Sequence, residues 1–134
     1  MSVSRFGVSL EKDLLEQLDQ LVVDHHFPNR SQAIRFLINK NLVEDKWSGD
    51  EEVAGALVLI YDHHKRDLQK QMTIIQHDYH CLILSSQHIH LNHDLCLETI
   101  TLKGKSDKLN KLADKLKAIK GIYHGELVMT AVPV

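Results

Sequence analysis

From residue 53 onward the apolar residues switch between two spacings, and the order of those switches limits the fold more than any other feature of the sequence. Residues 53–61, 80–90, 96–103 and 122–131 read as strands, and residues 65–77 and 107–119 as helices. In the second helix Leu109, Leu112, Ala113, Leu116 and Ile119 fall on one face, and Gly121 follows where a C-cap is expected. Strand–helix–strand–strand–helix–strand is the ferredoxin-like order, a four-stranded antiparallel sheet with helices on one face. Such a sheet leaves its other face and its edges available to a second subunit.

The segment before it is built differently. Residues 3–10 alternate, which would put Phe6, Val8 and Leu10 on one side and Arg5, Gly7 and Ser9 on the other. Leu14, Leu15, Leu18, Leu21 and Val22 follow at helical spacing, Pro28 and Asn29 interrupt, and a second helix opens near Arg30 and Ser31 with Ala33, Ile34, Leu37, Ile38 and Leu42 on its stripe. A strand and two helices in ~45 residues cannot enclose a core of their own. The expectation is a dimer made by pairing the single strand with its copy. Domain boundaries are therefore placed at 1–46 and 53–134, with the polar stretch 47–52 as linker.

Composition narrows the class. The chain has 134 residues, 43% hydrophobic and 25% charged, which is ordinary for a globular protein. No apolar run is long enough to cross a membrane, and residues 1–7 lack a signal peptide's apolar stretch, so the expected location is the cytoplasm. Two cysteines are too few for a disulfide framework; Cys81 reads as a small buried residue. A formal charge of −2 argues against DNA binding by electrostatics alone.

Ten histidines are unusual, and they concentrate between His63 and His93. Within that region stands His-Ile-His-Leu-Asn-His-Asp-Leu-Cys. On a strand His88 and His90 share a face, and the turn formers Asn92, His93 and Asp94 can return the chain to bring Cys96 beside them. Two imidazoles and a thiolate suit Ni(II), Cu or Zn rather than Mg or Ca. The competing reading is a histidine-rich surface hairpin with a buried cysteine, and His93 reads as an exposed turn residue.

The order of modules together with this hairpin resembles the nickel-responsive regulator family NikR. Arg30-Ser-Gln-Ala-Ile-Arg, Lys65-Arg-Asp-Leu, Gln76-His77, His88-x-His90, Cys96-Leu-Glu98 and His124-Gly125 resemble its segments in order, over nearly the whole chain. The resemblance implies an α+β chain, an N-terminal ribbon-helix-helix (βαα) DNA-binding module followed by a βαββαβ ferredoxin-like (ACT-like) domain. It implies one Ni(II) per subunit, near square-planar, held by His88, His90 and Cys96 of one subunit and His77 of another. It also implies a homotetramer, a dimer of dimers, that binds double-stranded operator DNA, most simply as a repressor of nickel uptake. Since the hairpin offers three donors and His77 ends a separate helix, a site shared between subunits would couple metal binding to assembly. Tyr61, His63, Gln76 and Glu98 are candidates to orient the ligands.

For DNA, a two-stranded ribbon fits the major groove, with Arg5 able to read guanine and Ser9 to bond base edges or phosphate. Gly7 departs from the expected polar residue there and offers no side-chain hydrogen bond. Ser31 can cap the second helix, whose N-terminus, with Arg30, can hold a phosphate, and Lys65 and Arg66 can touch phosphates from the regulatory domain. Gln32 and Phe36 stand where the family often has acidic residues, so no accessory cation site is expected. Two alternatives remain at this point: a metal-independent ribbon-helix-helix regulator sensing an organic ligand, and a nickel or copper buffering protein. An enzyme is not expected, because there is no nucleophile–base motif and no glycine-rich phosphate loop.

Overall fold

The computed structural model describes residues 2–132, which fall into two compact units dividing between Asn41 and Leu42. In the first unit helix α1 spans Lys12–Asp24, and helix α2 begins at Arg30 and continues to Ser48, beyond the division. The end of α1 closes as a Schellman turn. His26 takes a left-handed φ of 58°, and the Phe27 N–H reaches back to the Val22 carbonyl at 3.0 Å. Asn29 then caps α2, its Oδ1 accepting from the Gln32 N–H at 2.9 Å. The cap expected of Ser31 is thus supplied by Asn29, and Ser31 lies inside the first turn.

Residues 3–10 form no strand in the single chain, contrary to expectation. A lone strand has no partner for its backbone N–H and C=O groups, so nothing within one copy holds it extended in a ladder. Its apolar residues Val3, Phe6 and Val8 are exposed. Among the described residues up to Asn41 only Ala33 is buried. Two helices with one buried residue between them are an incomplete core, and they fit the helices of a ribbon-helix-helix module.

The second unit carries the expected order. Strand β1 (Glu52–Asp62) is followed by helix α3 (Arg66–Asp78), a 3-10 turn (His80–Leu82), β2 (Ile83–His90), β3 (Leu95–Lys105), α4 (Ser106–Lys117) and β4 (Ile122–Thr130). The strands lie in the order β2-β3-β1-β4, every neighbour antiparallel. Strand period decides which face is buried: Val53, Leu57, Leu59 and Tyr61 of β1 and Cys96, Ile100 and Leu102 of β3 pack with Leu68 and Met72 of α3 and Leu109, Leu112 and Leu116 of α4. Each fully buried leucine contributes roughly 1.5–3 kcal/mol.

Three boundaries differ from the sequence reading. Residues 80–82 form a tight turn, so β2 starts later than expected and Cys81 is exposed rather than buried. The stretch 47–52 is not an open linker throughout. Helix α2 runs to Ser48, and Trp47 is buried with its indole N–H donating to the Thr130 carbonyl at 2.9 Å. An indole is large enough to extend the core, which turns polar-looking flanks into packed structure. At the end of α4 the C-cap is Ala118, while Gly121, at φ 104°, makes the turn into β4. A side chain there would adopt a strained backbone and meet Leu68 Cδ1 at 2.8 Å.

Candidate metal centre

The β2–β3 register sets the centre. His88 pairs with Glu98 and His90 with Cys96, so all four side chains leave the sheet on its helical face. Between the strands, Asn92 Oδ1 accepts from the N–H groups of Asp94 (2.9 Å) and Leu95 (2.8 Å), and the Leu91 N–H reaches the Leu95 carbonyl at 2.9 Å. An Asx turn therefore fixes the reversal that the Asn-His-Asp sequence encodes. Cys96 Sγ lies 3.0 Å from His88 Nε2 and 3.9 Å from His90 Nδ1. Donors ~2.0–2.3 Å from one ion stand about this far apart, so the set fits a borderline transition metal.

Register also brings β1 into the centre, because Tyr61 pairs with Cys96. The Tyr61 hydroxyl donates to Glu98 Oε1 at 2.7 Å and lies 3.1 Å from His88 Nδ1. A phenol has one proton, and the carboxylate takes it, so the bond to His88 requires an Nδ1–H donor. The Nε2 lone pair is then left facing Cys96. Gln76 Nε2 donates to Glu98 Oε2 at 2.9 Å, completing both oxygens of a buried carboxylate. Burial, and secondly the bond to Glu98, push the Tyr61 pKa up, which keeps its proton in place. Desolvation, with Glu98 and Asp62 nearby, pushes the Cys96 thiol up as well. A cavity of about 330 Å³ bordered by Tyr61, Met72, Gln76, His88 and Glu98 opens beside this network.

Among the residues singled out from sequence, His88, His90 and Cys96 come together, and Tyr61, Gln76 and Glu98 form the orienting network behind them. His63 stands closer than an outer position suggests: its ligand nitrogen, that of His90 and Cys96 Sγ lie within 4.8 Å of one another. The signal lay in pairing the end of β1 with the start of β3, which places the residue after Asp62 beside the hairpin. His77 is exposed on the last turn of α3, its ring stacked on His80 at 5.9 Å. Within one chain it stands outside every three-donor cluster among the described residues, and so does His88, which approaches Cys96 Sγ but is not in the cluster of His63, His90 and Cys96. His64 and Asp94 were not singled out as donors from the sequence, and His93, a competitor ligand by its nearness, was read as an exposed turn residue; the three stand together at the turns.

The candidate DNA contacts divide similarly. Arg5, Gly7 and Ser9 are exposed, and Arg5 borders a cavity of about 600 Å³ with Phe6, Ser31, Ile34, Arg35 and Ile38. Lys65 and Arg66 are exposed at the start of α3. Arg30 is already engaged, gripping both oxygens of Asp19 at 2.7 and 2.9 Å.

A ferredoxin-like sheet with a histidine–cysteine hairpin on its helical face defines a metal-binding domain of the ACT-like class. Residues 54–130 match the family described as the NikR C terminal nickel binding domain. The chain is 51% identical to a "Putative nickel-responsive regulator" of Syntrophus aciditrophicus, covering 97% of this chain and 95% of that one. A protein of the same description from Pyrococcus furiosus is 44% identical over 97% of this chain and 95% of its own length. The uncharacterized protein TM1266 of Thermotoga maritima shares the fold, with a TM-score of 0.54 at 19% identity over 59% of this chain and 98% of that one. The chain belongs to the NikR family of nickel-responsive regulators, which is a family of regulators and not of enzymes.

Proposed function

We propose that this chain is a cytoplasmic, nickel-dependent DNA-binding repressor, most simply of nickel-uptake genes. The convergence of His88 Nε2, His90 Nδ1 and Cys96 Sγ in front of the Tyr61–Glu98–Gln76 network carries the reading. One Ni(II) per subunit would be held by these three donors and by His77 of another subunit in a homotetramer, a dimer of dimers. Bound there, the ion supplies a Lewis-acid link between subunits. The residues supply the rest: Cys96 gives up its thiol proton, and Tyr61 holds His88 in the tautomer that leaves Nε2 free. His88 and His90 are exposed, so a donor from a second subunit has access. No helix of the described residues is long and apolar enough to cross a membrane.

Operator DNA would meet a ribbon made from residues 3–10 of two copies, with Arg5 and Ser9 reading the groove and Gly7 contributing backbone only. Ser31 at the start of α2 and Lys65 and Arg66 on the regulatory domain would hold phosphates. Arg30 would have to leave Asp19 to join them. With a formal charge of −2, affinity must depend on how the ribbons are presented rather than on bulk attraction.

A second reading of the fourth ligand is favoured by one observation, the position of His63 within 4.8 Å of His90 and Cys96. In that case the site closes within one chain. Operator affinity measured with and without Ni(II) separates the two. His77→Ala abolishes the nickel response if the site spans subunits, whereas His63→Ala abolishes it if the site is internal. Sedimentation should show a tetramer; a monomer at micromolar concentration would rule out the shared site.

A further inference from the structure

Charge is spread unevenly along the chain. Up to Asn41 five basic side chains meet five acidic ones, so the unit proposed to carry the ribbon brings no excess positive charge to a phosphate backbone. Residues 99–134 hold seven lysines against Asp107, Asp114 and Glu126. Two of them, Lys117 and Lys120, stand where α4 turns into β4, and the fold seats that turn against the start of α3, beside Lys65 and Arg66. Two glycines make the seats. A Cβ on Gly125 would lie 2.7 Å from Lys117 Cγ, and one on Gly121 would lie 3.3 Å from Lys65 Cδ. Each lysine rests its stem on bare backbone and leaves its charged end toward solvent. The Lys117 side chain is only 37% exposed, so part of the entropy cost of ordering it on a ligand is already met in the fold. At most ~14 Å of extended chain separates the two seats, about the length of four phosphates along one strand at ~3.4 Å apiece.

Among the described residues Lys65, Arg66 and Lys120 form no ion pair, and Lys117 has only the exposed Asp114, at 3.7 Å. An exposed pair of that kind is weak and gives way to a stronger anion. We propose that Lys117 and Lys120 join Lys65 and Arg66 in one patch on the regulatory unit that holds the sugar–phosphate backbone of duplex DNA. A lysine is a point charge without the planar fork that reads a base edge, so the patch adds affinity and no sequence preference. Lys108 and Lys111 are not part of it, since at 3.6 residues per turn they lie roughly 120–180° around α4 from Lys117. The inference rests on the reading of the chain as a DNA-binding regulator. It adds two residues to that reading and a division of labour, in which the ribbon selects and the patch holds.

Binding of the nickel-loaded full chain to a mixed-sequence duplex, followed by fluorescence anisotropy across a sodium chloride series, tests it. Each phosphate contact contributes about 0.9 to the slope of log affinity against log salt. Lys117→Gln combined with Lys120→Gln should reduce that slope by about two and weaken binding to duplexes of any sequence alike. Lys117→Arg combined with Lys120→Arg should keep it. Lys108→Gln combined with Lys111→Gln removes the same charge from the other flank of α4 and should leave the slope unchanged. The sulfur-to-nickel charge-transfer band and the helical circular dichroism should match the wild type in every variant, which separates a lost contact from a lost fold or metal. An unchanged slope in the first pair, or an equal loss in both glutamine pairs, overturns the proposal and leaves the DNA-binding reading standing. A wild type that binds no duplex at any salt concentration overturns both.

Discussion

One hydroxyl, that of Tyr61, settles which nitrogen of His88 can bind a metal. It accepts from Nδ1 while donating to Glu98. Tyr61→Phe keeps the ring in the core and removes both bonds, so Ni(II) affinity should drop about 10–100-fold with the charge-transfer band retained; competition against a chelator of known affinity measures the loss. Cys96 sets the pH response. Its raised pKa means that the metal-free thiol holds its proton at neutral pH and must release it on binding. Affinity should therefore fall about tenfold for each unit that the pH is lowered, visible as the charge-transfer band bleaching at fixed free nickel. Absence of the band at every pH would place the sulfur outside the site, and a band that holds at fixed, sub-saturating nickel as the pH falls would mean that binding releases no proton. His88, His90 and Cys96 were legible in the sequence because strand period and turn chemistry are local. The closeness of His63 was not, because it follows from the pairing of Tyr61 with Cys96, a contact across the sheet.

At the level of elements, the six segments of the second unit could be read in order because each buries one face at its own period, as β1 does with buried and half-buried residues alternating. What the sequence hid were places where tertiary contact overrides local pattern. Trp47 and Ser48 stay helical because the indole enters the core, and residues 80–82 curl into a turn before β2. The missing N-terminal strand has the opposite cause: the alternation is present, but nothing within one chain pairs with it. The α1–α2 connection holds a further lesson. His26 sits at a φ of 58°, where an L side chain crowds its own backbone, and it is exposed, so the ring contributes no burial. His26→Gly should gain about 0.5–1 kcal/mol after allowing for the greater freedom of glycine in the unfolded chain, measured as a higher denaturant midpoint at unchanged slope.

For the whole molecule, the two units are built to different degrees of completeness. One encloses a continuous aliphatic core behind its sheet, while the other buries Ala33 alone among its described residues and exposes Val3, Phe6 and Val8. If this unit pairs with a second copy, as proposed, its stability should rise with protein concentration. The chain happens to contain a means of watching the two separately. Its one tryptophan, Trp47, is buried and hydrogen-bonded to Thr130. Indole emission shifts to longer wavelength when water reaches the ring, so fluorescence reports the second unit, while circular dichroism at 222 nm registers helices of both. On dilution the dichroism transition should move to lower denaturant ahead of the fluorescence transition; coincident curves at every concentration would mean that the two units unfold as one. The protein thus carries its own optical label, placed by the fold in the unit that holds the candidate metal centre.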